Sequence, residues 1–348
     1  MKGPSRSQKE SVCANPKMED VISGMDKTGL QLLVYTQYDP AILQEIPKRF
    51  PGICMTVVTE GDAFLAALPE ADILYLHKEI TPEITERMGP TIVAGKRLKW
   101  IQWGYTGVDR LRPFEYLWNK LLVTTSKGAM AETIADYVIL VIQMLYREFP
   151  RMMKNQMNRV WERWLFESPR GKTLGVIGLG AIGKEVARKA RAFGLKVIGL
   201  DVQAASLESV DAMFTPAEFK EFLGTCDIVS ICVPLTPETK GLIAEEALGW
   251  MKPRSYLVNV ARGRIVDENA VVKAIRSGHL AGAALDVFFP EPLDPQSELW
   301  ALDNVIVTPH LSGAFRDFPE KVLALFCENL ERFLRGREMI NLLETGNE

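Results

Sequence analysis

The sequence is poor in the residues that build metal and disulfide sites. It holds three histidines and five cysteines in 348 residues. Cys13, Cys54, Cys226, Cys232 and Cys327 are odd in number and lack paired, metal-type spacing. They read as free, mostly buried thiols, and no metal is expected. No apolar run approaches the ~20 residues that cross a bilayer, and Met1 to Leu30 lacks a signal-peptide core. A cytoplasmic location and no membrane partner are therefore expected. No Lys/Arg block stands out and the formal net charge is −3, which disfavours nucleic acid and anionic surfaces. Internal repeats and low-complexity tracts are missing as well.

What is present is alternation. After residues 1–28, which mix polar residues without apolar period and read as a disordered extension with Met25 a candidate start, strand-like runs interleave with helical ones. The first set is Leu32–Thr36, Met55–Val58, Ile73–Leu76, Leu98–Gln102 and Leu121–Thr124. A helical pattern follows from Met130 to Arg147, leading through the Trp161/Trp164 segment to strands at Lys172–Ile177 and Lys196–Leu200. Further strands are read at Ile228–Val233, Tyr256–Val260, Ala283–Val287 and Val305–Thr308, and a helix closes the chain from Pro319 to Arg335. Such alternation predicts parallel sheets covered by helices, an α/β protein, and the length suits two domains.

One strand-to-helix turn carries chemistry. In Val176-Ile-Gly178-Leu-Gly180-Ala181-Ile182-Gly183, Gly178 permits a tight turn, Gly180 lets backbone approach a phosphate, and Gly183 lets the helix pack on the strand. The helix start at Ala181 and Ile182 offers N–H groups to a pyrophosphate. The next strand ends on Asp201, about 20 residues beyond, where a carboxylate accepts from ribose hydroxyls. A carboxylate there repels a 2′-phosphate, and Val202-Gln203-Ala204-Ala205 supplies no cation for one. NAD is favoured over NADP.

Ligands of open α/β sheets bind beyond the carboxyl ends of strands, which selects three segments. Asn259-Val260-Ala261-Arg262-Gly263-Arg264 ends a strand in a guanidinium suited to a carboxylate; Arg264 is the alternative cation. Asp286-Val-Phe-Phe-Pro-Glu291-Pro places acids in a proline-fixed loop. Thr308-Pro-His310-Leu-Ser-Gly313 places a histidine at a strand end. The other histidines are His279, in a helix-ending turn and expected to be exposed, and His77, after a strand and a candidate cleft contact beside Lys78.

Together with Val233-Pro234-Leu-Thr-Pro-Glu-Thr239, these ordered motifs resemble the D-isomer-specific 2-hydroxyacid dehydrogenase family, over about Leu30 to Leu343. The resemblance implies a Rossmann-type cofactor domain (128–311) inserted in a smaller, flavodoxin-like α/β substrate domain (29–127 and 312–348). The last helix is implied to return to the substrate domain, and a homodimer to form on the cofactor domains. It implies catalytic roles for Arg262, Glu291 and His310. It also implies that Asp286 and the Ala261 carbonyl face the nicotinamide amide, that Val233, Pro234 and Thr239 flank the cofactor, and that Val260, Thr106 and Gly313 contact it. The loop Trp103-Gly104-Tyr105-Thr106-Gly107-Val108-Asp109 is similar to the family's substrate-carboxylate loop, which implies substrate contacts at Tyr105, Thr106 and Gly107. It differs in its bulky Trp103 and Tyr105; Trp103 is read as core beneath the loop.

The residues themselves suit 2-oxo acid reduction. His310 as imidazolium would donate a proton to the carbonyl oxygen, tuned and fixed by Glu291, while Arg262 holds the substrate carboxylate. Small acids such as glyoxylate or hydroxypyruvate are the expected substrates, with two domains closing on a cleft. The rival readings are a corepressor-like NAD-binding regulator without significant turnover, and a formate or phosphite oxidiser. The Glu291/His310 pairing argues against formate.

Overall fold

The computed structural model describes residues 29–118, 120–203 and 206–343. The expected extension 1–28, Cys13, Met25, Ala204 and Ala205 lie outside them. The described chain divides into two compact units, one running up to Ala129 and resuming at Arg316, the other comprising Met130–Phe315.

The first unit holds five parallel strands, β1 (Leu30–Thr36), β2 (Ile53–Val58), β3 (Ile73–His77), β4 (Trp100–Trp103) and β5 (Leu122–Thr124). Their order is β2-β1-β3-β4-β5, the flavodoxin-like arrangement, whose topological switch lies between β1 and β3. Central parallel strands are covered on both faces, and every residue of β3 and β4 is buried. Cys54, expected to be buried, is exposed, because β2 is an edge strand whose faces alternate.

The helix Phe318–Arg335 belongs to this unit. Val322, Phe326, Leu330 and Phe333 recur at helical spacing and are all buried. Phe326 stacks on Tyr75 with ring centroids 4.5 Å apart and lies 5.3 Å from Trp100. Asn329 adds a buried polar tie, its Nδ2 donating to Gln102 Oε1 at 3.1 Å and to the Ile340 carbonyl at 3.0 Å. Truncating a fully buried aromatic such as Phe326 to alanine costs about 3–5 kcal/mol.

The second unit holds β6 (Thr173–Ile177), β7 (Lys196–Leu200), β8 (Ala212–Phe214), β9 (Ile228–Ile231), β10 (Ser255–Asn259), β11 (Leu280–Leu285) and β12 (Val305–Val307). All pair in parallel, in the order β12-β11-β10-β9-β6-β7-β8. The chain thus reverses its direction of travel across the sheet between β6 and β9, the Rossmann switch point. One face is covered by helices Ala131–Tyr146 and Ala181–Ala192, the other by Phe219–Thr225, Glu245–Trp250 and Glu268–Arg276. Several strands are shorter or shifted relative to the sequence reading: β9 stops at Ile231, β4 starts at Trp100, and β11 begins at Leu280. β8 was not foreseen, since three half-exposed edge residues carry little apolar period.

Candidate active site

The glycine turn follows β6. Gly178 has φ +90°, and a Cβ there would lie 2.7 Å from Val233 Cγ1. At Gly183 a Cβ would come within 1.9 Å of the Gly178 carbonyl oxygen. Both are therefore required by backbone packing. Gly180 differs, since nothing lies within 4 Å of the place its Cβ would take. That open ground fronts the start of the helix Ala181–Ala192, where no side chain caps the first-turn N–H groups. A pyrophosphate fits this arrangement of free donors and missing Cβ. Ala181 and Ile182 are half-buried on the rim.

Asp201, just past β7, faces the same turn. Its Oδ2 accepts from the Leu179 N–H at 2.7 Å and its Oδ1 from the Gln203 N–H at 3.0 Å. It braces the turn as well as presenting a negative charge beside it. On the neighbouring strand end, Thr239 Oγ1 donates to the Pro234 carbonyl at 2.7 Å and accepts from the Thr236 N–H at 2.8 Å. Thr239 thereby closes its own turn, with Val233 half-buried against Gly178.

The three other segments converge around one backbone contact. Asn259, 1% exposed, holds the turn after β10: its Oδ1 accepts from the Ala261 N–H at 3.1 Å and its Nδ2 donates to the Arg262 carbonyl at 3.0 Å. Arg262 is half-buried, and its Nη1 donates to the Ala261 carbonyl at 2.7 Å. Gly263 follows, where a Cβ would strike the Phe288 carbonyl carbon at 2.0 Å. Only glycine lets the arginine turn press against the Asp286–Glu291 loop. Arg264, the alternative cation, lies over the Phe289 ring at 3.7 Å from its centroid.

His310 Nδ1 stands 3.0 Å from Glu291 Oε2. The other carboxylate oxygen, Oε1, accepts from the Phe288 N–H at 3.0 Å. Glu291 is thus anchored on its own loop while it faces the imidazole. The histidine side chain is 47% exposed and the glutamate 38%, so the pair is open to a reactant.

Asp286, which the resemblance implies faces the nicotinamide amide, has a fully buried side chain. Its Oδ1 accepts from Thr308 Oγ1 at 2.5 Å and from the Leu311 N–H at 2.9 Å, and its Oδ2 from the Ser312 N–H at 2.9 Å. Its carbonyl accepts from the His310 N–H at 2.8 Å. Asp286 therefore clamps the histidine turn, where His310 has φ +54°, a region that costs a non-glycine residue about 1–2 kcal/mol. Tyr137 extends the clamp through its hydroxyl, 2.7 Å from Thr308 Oγ1. Burial raises the Tyr137 phenol to about 12, so it stays neutral there. Sequence reasoning missed Asn259, Tyr137 and Thr308 as supports. The Asn two residues before Ala261 carried a local turn signal; the Tyr137 contact spans 171 residues and carried none.

His279 was expected to be exposed, but it is half-buried with Nε2 2.8 Å from the Leu248 carbonyl. In the first unit, Trp103 is 2% exposed and its indole N–H donates to the Gly107 carbonyl at 2.8 Å, a core residue beneath the loop. Tyr105, Thr106 and Gly107 are half-exposed. His77 is 1% exposed with Nδ1 3.0 Å from the Tyr75 hydroxyl, and its ring packs against Gly104. Lys78 donates to the Thr59 carbonyl. Gly313 and Val260 flank the second unit's core, the former against Met130.

The family model for the D-isomer specific 2-hydroxyacid dehydrogenase NAD binding domain matches residues 139–312, half of the chain and the segment carrying the glycine turn and the turns of Arg262, Glu291 and His310. The chain belongs to this family. It is 34% identical over 261 residues to the glyoxylate reductase of Thermofilum pendens, covering 73% of this chain and 77% of that protein. It is 31% identical over 335 residues to the D-3-phosphoglycerate dehydrogenase of Archaeoglobus fulgidus, covering 94% of this chain and 58% of that longer protein. Among solved structures, the D-isomer specific 2-hydroxyacid dehydrogenase of Xanthobacter autotrophicus Py2, in complex with NADPH and MES, aligns with TM-score 0.78 at 30% identity. That alignment covers 91% of this chain and 98% of the other. As a 2-hydroxyacid dehydrogenase the protein is an oxidoreductase with an NAD-binding domain, in a family whose enzymes act on small 2-oxo and 2-hydroxy acids. Among the described residues no helix is long and apolar enough to cross a membrane.

Proposed function

We propose that the protein reduces a small 2-oxo acid, such as glyoxylate or hydroxypyruvate, to its D-2-hydroxy acid with NADH. The observation that carries this reading is the 3.0 Å contact between His310 Nδ1 and a glutamate whose second oxygen is tied to the Phe288 N–H. A carboxylate there fixes the ring and balances the charge that a proton brings, leaving Nε2 to hand that proton to a carbonyl oxygen. Arg262, from the adjoining turn, holds the substrate carboxylate and polarises the carbonyl. The N–H groups of Tyr105, Thr106 and Gly107 add contacts to the same carboxylate. The nicotinamide supplies or accepts the hydride when bound. In the oxidation direction neutral His310 takes the hydroxyl proton.

Cofactor choice follows from Asp201. Its carboxylate, braced at the first β-strand after the glycine turn, opposes the charge of a 2′-phosphate, which favours NAD over NADP. The NADPH bound by the Xanthobacter relative makes this a point to measure. Ala181, Ile182, Val233, Pro234, Thr239, Val260, Ala261, Thr106 and Gly313 complete the cofactor contacts in this reading. A homodimer is supported by the second unit's segment around Met157, Trp161 and Leu165; the last two are 94% and 98% exposed. Free thiols at Cys54, Cys226, Cys232 and Cys327 accord with a cytoplasmic setting.

The test is NADH and NADPH oxidation against glyoxylate, hydroxypyruvate, pyruvate and 3-phosphohydroxypyruvate. The reading expects turnover of a short acid, with kcat/KM higher for NADH. Tight NADH binding without turnover of any 2-oxo acid would instead favour a regulatory, corepressor-like protein.

A further inference from the structure

The loop that carries Glu291 presents two consecutive backbone donors, and each is taken by a carboxylate of different origin. Phe288 N–H goes to Glu291 itself, and Phe289 N–H goes to Glu268 Oε1 at 2.9 Å. Glu268 lies in the first turn of the helix Glu268–Arg276, whose start is fixed by Asp267 accepting from the Ala270 N–H at 3.1 Å. The same loop is pressed on Gly263 and covered at Phe289 by the Arg264 guanidinium. Glu268 is half-buried; burial pushes its carboxyl above the ordinary range, the Phe289 N–H opposes this, and the charges of Asp267 and Glu291 add to it. The two glutamates are thus near enough to feel each other.

We propose that Glu268 is a positioning residue for the Glu291–His310 pair, holding the Glu291 loop in register through the Phe289 N–H. This rests on the catalytic reading given under Proposed function. Glu291 reaches His310 with one oxygen only because the other is anchored at Phe288, so the backbone at 288–289 sets the distance between acid and imidazole. A hydrogen bond from a rigid helix start to the next amide removes the loop's freedom to slide. Misplacement by about 1 Å in such a constellation costs up to 10²-fold in rate.

The experiment compares Glu268→Ala, Glu268→Asp and Glu268→Gln in steady-state reduction of the best 2-oxo acid, with NADH affinity measured by fluorescence titration. Glutamine keeps an acceptor at the same reach and loses the charge, whereas aspartate keeps the charge and loses the reach. The proposal expects kcat to fall about tenfold or more in the alanine and aspartate variants, with NADH affinity unchanged, and to recover to within about threefold in the glutamine variant. In a Glu291→Gln background, Glu268→Ala should add little further loss, because it acts through Glu291. Wild-type kcat in Glu268→Asp, or a glutamine variant as slow as aspartate, would overturn it, and so would a full additional loss in the Glu291→Gln background. Should the alanine variant not fold, the aspartate and glutamine pair decides alone. Full activity in His310→Gln would overturn the catalytic reading itself, and this inference with it.

Discussion

Each unit places a histidine at the carboxyl end of a parallel strand, and the two have little else in common. His310 follows β12, nearly half exposed, with a carboxylate at Nδ1. His77 ends β3 beside the β1/β3 switch, paired in register with Thr36, at the place where flavodoxin-like sheets receive ligands. Yet it is sealed by Tyr38, Tyr105 and Phe318, whose ring centroids lie 4.6, 5.9 and 5.6 Å away. Its Nδ1 meets a neutral phenol, its Nε2 has no hydrogen-bond partner, and burial lowers its pKa to about 4. Topology brings a histidine to a ligand-facing edge in both units. Under the proposed function, exposure and the partner's charge set His310 apart from His77 as the proton donor.

The sharpest way to break this comparison is to exchange the roles by mutation. His310→Gln is expected to lower kcat for 2-oxo acid reduction by about 10²–10⁴-fold, with NADH binding retained. His77→Phe should stay within about tenfold of wild type, since it offers no proton near neutral pH. Equal losses in the two variants would erase the distinction drawn between them.

A smaller effect is expected on stability. The folded-state pKa of His77, about 4 against 6.5 for the free side chain, means the unfolded chain binds the proton more readily. Stability from this group is therefore complete above about pH 6.5 and is lost as pH falls towards 4, by about 3 kcal/mol in all. Denaturant melts between pH 7 and 4 should show this loss in the wild type and a flatter slope in His77→Phe. An unchanged slope would mean that His77 titrates normally.

The two histidines also show where sequence reasoning reached and where it stopped. The glycine turn was readable because Gly178, Gly180 and Gly183 act through local geometry. The two sheets were readable because buried parallel strands leave apolar runs at regular intervals. Arg262, Glu291 and His310 were selected by strand-end position together with family resemblance. The burial of His77 was not readable, because its covering rings come from residues 38, 105 and 318, far apart in the chain. The hydrogen bonds of Asp286 were not readable for the same reason. Position alone selects it as an acid at a strand end, and only the folded chain shows that three donors from residues 308–312 meet it. Glu268 escaped notice because its partner is a backbone amide 21 residues away, which no side-chain pattern reports.

The central claim is that Glu291 and His310 work as one proton-transfer unit. A double-mutant cycle on kcat, using Glu291→Gln, His310→Gln and the combined variant, tests it most directly. Residues that act as a unit give strongly non-additive losses, so the combined variant should be no slower than His310→Gln alone. Losses that simply multiply would show the two side chains acting independently and would contradict the account.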